Sequence, residues 1–538
     1  MNLFANLLRS AWARITRGQE TRHATARLPV ASEKANGLGA LSTDELLKNG
    51  RARLQAGDLV AAERHFGAAT GQAPDSAEAQ FYLGVALLKQ KRYEDAIDSF
   101  ILALHYRPDF VEARFQLGLA RFHLEQFDDA IECFRKVIEQ KPDYADAHCN
   151  LGYALYKHLD DLDAAETHLR RALELDPQSA DAQINLAMVF AHRGESDVAL
   201  RMYEGILQRK PDDPEARLNR ALILLTRGDY ADGWRDYEAR RALQAQRDFR
   251  LPEWDGAHLG KRVILVHAEQ GLGDEIMFAS CLGELIDRAQ HCVIECHVKL
   301  EKLFRRSFPA ATVHGSLQTD PDLSWVDELP RIDVKVGIGS LPLRFRRSRR
   351  DFPGHAGYLR ADPARVEHWR ARLRRLGSGP KVGVSWRGGA RSTRRHARSI
   401  PLEHWMAPLS LSGAQFVSLQ YGDCRDEIES ACGKSRLMLH HWPEAIEDYD
   451  ETAALVSALD LVISVQTAVV HLAGALGKAV WVLVSARPEW RYGSSGDTMP
   501  WYPSARLFRQ GGEQRWDAVI QRVADALKDW TVGPNPEK

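Results

Sequence analysis

Between residues 41 and 245 apolar side chains recur at helical spacing, three to four residues apart, and a longer beat lies over them. Pro74, Pro108, Pro142, Pro177 and Pro211 follow one another in steps of 34, 34, 35 and 34 residues. Small residues keep the same beat: Gly50, Gly84, Gly118, Gly152, Ala187 and Ala221, then Ala62, Ala96, Ala130, Ala165, Ala199 and Gly233. The pattern predicts units of helix, short turn and helix, with a proline before the next unit. Small residues at fixed places let the two helices of a unit approach closely. The single slip of one residue falls between Gly152 and Ala165, in the loop Lys157–Asp163.

Beyond residue 261 the period changes. Uncharged, β-branched runs at 263–266 and 461–465, and the runs 381–385 and 415–420, read as strands of a parallel sheet. Two of them lead into small-residue turns and then helices. Arg262–His267 runs into Gly271-Leu-Gly273-Asp274 and a helix from Ile276 to Ala289. Leu461–Val465 runs into Gln466-Thr467-Ala468, a helix holding His471, Gly474 and Gly477, and a second strand ending at Trp481. A final helix is expected from Arg515 to Trp530. Strand, turn and helix in this order predict an α/β fold. The domains expected are a flexible leader (1–40), helical repeats (41–245), a linker (246–260) and two α/β halves (261–375 and 376–538).

A helix start offers free N–H groups and partial positive charge, which suits a phosphate. Thr467, Ala468 and His471 are therefore candidate anion-binding residues, with Gln466 beside them. Gly271 and Gly273 let a substrate approach backbone closely. The Gly271–Asp274 turn carries neither a full dinucleotide fingerprint nor a Walker Lys-Ser/Thr. Ser385, Arg387 and Gln420 follow strand ends in the second half. Arginines cluster in Arg344–Arg350 and again at Arg391, Arg394, Arg395 and Arg398. The first cluster reads as solvated loop; the second reads equally as loop or as an anion site.

Composition narrows the function class. Lys+Arg of 72 against Asp+Glu of 73 excludes the basic excess of a dedicated nucleic-acid binder. No apolar run approaches the ~20 residues of a membrane span. Residues 1–40 read as a flexible leader, with a basic amphipathic helix touching a membrane surface as the alternative. Seven scattered cysteines fit a reducing compartment, and the expected location is cytoplasmic. Cys292 and Cys296 would stand ~13 Å apart along a strand, too far for a disulfide or a shared metal. No metal site is expected.

The 34-residue unit resembles the tetratricopeptide repeat, with about six copies. The resemblance implies a superhelix with a concave groove. One position on the first helix of each unit reads Tyr82, Gln116, Asn150, Asn185 and Asn219. Amides there can follow the backbone of an extended peptide, and the row resembles the asparagine ladder of peptide O-linked N-acetylglucosamine transferases. Packing between neighbouring helices is the competing role.

Gly271-Leu-Gly-Asp274, Val382-Gly-Val-Ser-Trp386 and Ser464–Gly477 resemble the landmarks of glycosyltransferase family 9, which includes heptosyltransferases. The chain as a whole resembles bacterial proteins that join tetratricopeptide repeats to such a domain. The resemblance implies a GT-B pair of Rossmann-like domains and inverting sugar transfer from a nucleotide-diphospho-sugar. It implies no obligatory metal or cofactor. The acceptor, a glycan or protein, would be held by the repeats. Asp274 matches the general base, with Glu269 as the second candidate and an N-cap as Asp274's structural alternative. Thr467, Ala468 and His471 would stabilise the leaving diphosphate, helped by Arg387 or Arg398. Where the family carries an aspartate this chain has Gln466, which cannot act as a base. The alternative function is a non-catalytic scaffold with a degenerate transferase domain.

Overall fold

The computed structural model describes residues 38–532 except 245–246, 321, 330, 390–394, 411–412, 434–437 and 513–514. The leader up to residue 37 lies outside the described residues. The chain forms two compact units, Met1–Ala216 and Arg217–Lys538.

Helices of the first unit come in antiparallel pairs: α1 (Thr43–Gln55) with α2 (Leu59–Gln72), α3 (Ala77–Lys89) with α4 (Tyr93–Tyr106), α5 (Val111–His123) with α6 (Phe127–Gln140), α7 (Ala145–Ala154) with α8 (Leu162–Leu175), and α9 (Ala180–Arg193) with α10 (Ser196–Arg209). Side chains that cap orphan N–H groups fix several starts. Ser42 and Glu45 form a capping box, and Asp58, Ser76, Asp161 and Ser179 accept from the third residue onward. The small-residue beat has a packing cause. A Cβ on Gly50, Gly84 or Gly118 would lie 2.5, 2.6 or 2.7 Å from the ring of Phe66, Phe100 or Phe134 on the partner helix. The slip of one residue is absorbed where α7 ends. Leu155–Leu159 winds as a π-helical turn, closed by Asp160 in the left-handed region at φ 55°.

The second unit opens with the rest of α11 (Pro214–Arg227) and with α12 (Tyr230–Tyr237). The described residues of the expected linker, 247–260, are packed. Arg247 donates to both carboxylate oxygens of Glu295 at 2.5 Å, Phe249 and Trp254 are buried, and Trp254 N–H donates to Lys335 O at 2.7 Å.

Two sheets follow. The first runs in the order β3-β2-β1-β4, all parallel: β1 (Val263–His267), β2 (His291–His297), β3 (Thr312–Ser316) and β4 (Val334–Gly337). The second runs β10-β11-β9-β8-β5-β6-β7, parallel except for β10: β5 (Lys381–Ser385), β6 (Gln415–Ser418), β7 (Leu439–His440), β8 (Leu461–Val465), β9 (Val480–Val484), β10 (Thr498–Met499) and β11 (Tyr502–Arg509). Every residue of β5, β8 and β9 is buried, as expected for strands covered on both faces. The core of the second sheet gathers Val382, Trp386, Ile463 and Leu483 with Val523 and Leu527 of the last helix (Asp517–Val532).

Each sheet reverses its winding once. In the first, β2 and β3 extend one way from β1 and β4 lies on the other side. In the second, β6 and β7 extend one way from β5, and β8 and β9 the other. Such switch points, outside the carboxyl ends of the strands, are where open α/β sheets bind ligands. They fall between β1 and β4 and between β5 and β8.

The helix expected over Ile276–Ala289 is shifted toward the N-terminus and broken. It starts earlier, as α13 (Leu272–Phe278), passes through a 3₁₀ turn at Ala279–Cys281, and resumes at Leu282–Ile286. Arg346 donates to the Ser280 carbonyl at 2.9 Å, and a side chain bonding into the ladder is a known cause of such a break. Arg306, on the helix Glu301–Ser307, meets buried Asp450, on the helix Tyr449–Ala458, with two bonds of 3.0 and 2.9 Å. This pair joins the two sheets' helical layers.

Candidate functional site

The turn after β1 is built around charge. The Glu269 side chain is 9% exposed, and it accepts from Arg240 at 2.6 Å and from Gly339 N–H at 3.0 Å. Burial works against its charge, but Arg240 wins and holds the carboxyl below its usual range. The second candidate base is thus committed to an ion pair. Gly271 occupies the N-cap of α13, so Asp274 is not the cap; it sits third in the first turn. Its side chain is 20% exposed.

The turn after β8 leads into α14 (Ala468–Ala475). Thr467 is the N-cap, its hydroxyl accepting from Val469 N–H at 3.3 Å and lying 3.1 Å from Ser464 Oγ. Gln466 is 2% exposed. Its Oε1 accepts from Ser485 N–H and Oγ–H at 3.2 and 3.0 Å. Its Nε2 is buried and has no partner among the described residues. His471 is buried, its Nδ1 3.1 Å from the Tyr502 hydroxyl. Burial, then the charge of Arg491, pushes the imidazole down to about 3, so it is neutral at physiological pH. It can share a hydrogen bond with an anion but carries no positive charge to it.

The two turns meet. A Cβ on Gly273 would lie 3.1 Å from the His471 ring and 3.5 Å from Ala468 Cα, so the glycine loop rests on the first turn of α14. The loop after β5 joins them, since a Cβ on Gly388 would lie 3.2 Å from Gln466 O and 3.1 Å from Arg398 O. Both switch points therefore open on one place.

A line of alternating charges runs through it. Asp274 Oδ1 accepts from Arg491 Nε at 2.9 Å and also from Nη2. Arg491 Nη1 donates to Glu489 Oε2 at 2.8 Å, and Glu489 Oε1 accepts from Arg398 Nη1. Burial resists the charge on Glu489, yet the two arginines hold its carboxyl low. Arg491 is likewise held above its ordinary value by Asp274 and Glu489 against the cost of burial. Its guanidinium carbon sits 4.8 Å from the Trp490 ring centre.

Ser385, Arg387 and Gln420 lie together at the end of β5. Buried Gln420 holds the loop, its Oε1 accepting from Trp386 and Arg387 N–H at 3.0 and 2.8 Å and from Ser385 Oγ at 3.3 Å. The Arg387 side chain turns to Glu427 at 3.0 Å and to Asp423 O at 2.8 Å. These three build the loop. Arg391 and Arg394, and the side chain of Arg395, fall outside the described residues. From the first arginine cluster, Arg346 is buried against Glu284.

Asn150 and Asn185 lie on α7 and α9 in the first unit. Asn150 donates to its own helix at Asp146 O (2.8 Å), and Asn185 reaches Cys149 Sγ on the neighbouring helix at 3.5 Å. Asn219 lies on α11 and is half-buried.

Sequence reasoning missed Glu489, Arg491 and the aromatic groups behind them. Their signal is Pro488-Glu-Trp-Arg-Tyr492, a charged and aromatic run just past the carboxyl end of β9. It also missed α12. Trp234 packs against Phe278 of α13 and against Trp490 and Trp501, with ring centres 6.2, 5.4 and 6.2 Å away. Tyr237 accepts a 2.7 Å bond from Gln270 in the glycine turn.

Among the described residues no helix is long and apolar enough to cross a membrane, and no cluster of three metal-ligating side chains forms. Profiles of the tetratricopeptide repeat match residues 47–109, 118–158 and 158–217, so the N-terminal half contains these repeats. The chain is 35% identical to Protein FlbA of Caulobacter vibrioides over 318 residues, 56% of this chain and 53% of that one. It thus spans about half the length of that relative. Among solved structures, a tetratricopeptide repeat protein of Parabacteroides merdae is 21% identical, with TM-score 0.34, over 38% of this chain and 80% of its own. A thermophilic tetratricopeptide repeat protein of Thermus thermophilus, TTC0263, is 24% identical, with TM-score 0.30, over 34% of this chain and all of its own.

Proposed function

We propose that the second unit is a glycosyltransferase of GT-B type, taking a nucleotide-diphospho-sugar as donor, and that the repeats hold its protein or glycan acceptor. The observation that carries this is the meeting of the Gly271–Asp274 turn with the first turn of α14. Gly273 lies against His471 and Ala468, which brings a carboxylate beside a helix start. A helix start attracts the leaving diphosphate, and a carboxylate nearby can take a hydroxyl proton. The orphan Nε2 of Gln466 supplies a donor at the same turn. Tetratricopeptide repeats bind peptide or protein partners, which suits delivery of an acceptor.

Two residues change role under this reading. Thr467 shapes the turn through its capping hydroxyl and offers a phosphate only its backbone. His471 acts as a neutral hydrogen-bonding group.

The scaffold reading draws on Gln466, whose carboxamide is turned to Ser485. The test is release of nucleotide from ADP-, UDP- and GDP-linked sugars by the purified protein. Release from one donor, reduced about 10²–10⁴-fold by Asp274→Ala, supports the transferase. No release from any donor supports the scaffold, and release indifferent to Asp274 places the base on another residue.

A further inference from the structure

The carboxylate of Asp274 is already paired. One oxygen of its carboxylate takes two bonds from Arg491. Arg491 in turn is the middle of the line Asp274–Arg491–Glu489–Arg398, in which two acids and two bases alternate. The line is balanced only while the site holds no further charge. Arg491 also lies near the first turn of α14: it bonds Asp274, whose neighbour Gly273 rests on His471 and Ala468, and the ring of the next residue, Tyr492, is 6.4 Å from the His471 ring. The guanidinium thus holds the carboxylate close to the place proposed for the donor's phosphates. An arginine presents several donors in one plane, and it binds phosphate at least as readily as carboxylate.

We propose that Arg491 couples donor binding to the activation of Asp274: it pairs with the carboxylate while the site is empty and moves to the donor's phosphate when the site fills. This rests on the nucleotide-sugar reading above. The released carboxylate then takes the acceptor's hydroxyl proton. The acceptor oxygen bonds to the anomeric carbon as the bond from that carbon to the phosphate oxygen breaks. The bonding pair leaves with the nucleoside diphosphate, whose added charge Arg491 holds. The arrangement makes the donor bind first, because an acceptor arriving alone meets a carboxylate already paired. It also keeps the base from activating water in the empty site.

The test uses the full chain and nucleoside diphosphates (ADP, UDP and GDP) as probes, with affinity read by calorimetry. Asp274→Asn frees Arg491 from its competitor, so the nucleotide that wild type binds should bind about three- to tenfold more tightly. Arg491→Gln should weaken it at least tenfold, Arg491→Lys by less, and in the double variant the gain from Asp274→Asn should vanish. A pair with only a structural role predicts weakening by both single changes. If wild type binds a nucleotide and Asp274→Asn leaves the affinity unchanged or lower, the coupling is wrong and the donor reading survives. If wild type binds none of the three, both fall together.

Discussion

Trp234 is expected to be the costliest side chain to remove from the second unit. It is 1% exposed, and its ring meets Tyr237, Phe278, Trp490 and Trp501. Its indole N–H donates to the Arg346 carbonyl at 2.8 Å. Truncating a buried tryptophan to alanine costs about 3–5 kcal/mol in lost transfer and cavity terms. The abandoned carbonyl adds about 1 kcal/mol. Trp234→Ala should therefore cost about 4–6 kcal/mol, a large share of the ~5–15 kcal/mol that holds a typical domain. Trp234→Phe keeps most of the volume and should cost less than half as much. Urea unfolding can localise the effect, because Trp12 is the single tryptophan before residue 217. Tryptophan fluorescence therefore follows the α/β unit, whereas the helical far-ultraviolet signal is rich in the repeats. Trp234→Ala should move the fluorescence midpoint down by about 1–2 M urea. An unmoved fluorescence midpoint would refute the assignment of α12 to the core of the second unit. So would a shift carried mainly by the helical signal.

Three further outcomes follow from single contacts. Gly474→Ala places a Cβ 2.2 Å from the Tyr502 ring, which is itself buried; it should destabilise the unit by about 1–3 kcal/mol and lower its fluorescence midpoint. Glu275 is fully buried, and burial lifts its carboxyl from 4.5 to about 8. The folded protein therefore holds a proton there that the unfolded chain has lost, and stability should fall as pH rises from 4.5 to about 8; in Glu275→Gln this fall should be absent from a series of urea melts. Asp450→Ala strips the buried partner of Arg306 and should cost about 2–4 kcal/mol, against about 0.5 kcal/mol for the exposed pair Arg171–Glu174, in the same melts.

The repeats were legible because their packing is local. Gly50, Gly84 and Gly118 each answer to a phenylalanine on the next helix, so the constraint recurs in sequence at one spacing. The slip before Ala165 was legible too, though not its resolution as a π-helical turn at Leu155–Leu159. The strands β1, β5 and β8 were visible as short apolar runs, and the two turns that follow β1 and β8 as small residues after them. What stayed hidden depends on distant pairing. Nothing near Asp274 announces Arg491, 217 positions away, and nothing near Trp234 announces Trp490. Composition also misled at 246–260, where Arg247, Phe249 and Trp254 dock on the first sheet rather than spanning a gap. Thr467 and His471 were placed correctly on a helix start. Their partners, Ser464 and Tyr502, could not be read from the turn alone.

The central claim is that the Gly271–Asp274 turn and the first turn of α14 form one donor site. Calorimetric titration with ADP-, UDP- and GDP-linked sugars, alongside a Gly273→Val variant, tests it most directly. The added side chain would meet the His471 ring and Ala468 where the Gly273 Cβ position is already 3.1 and 3.5 Å from them. The account predicts saturable binding of one donor by wild type and its loss in a Gly273→Val protein that still melts cooperatively. Binding that survives in that variant, or its absence for every donor in wild type, would contradict it.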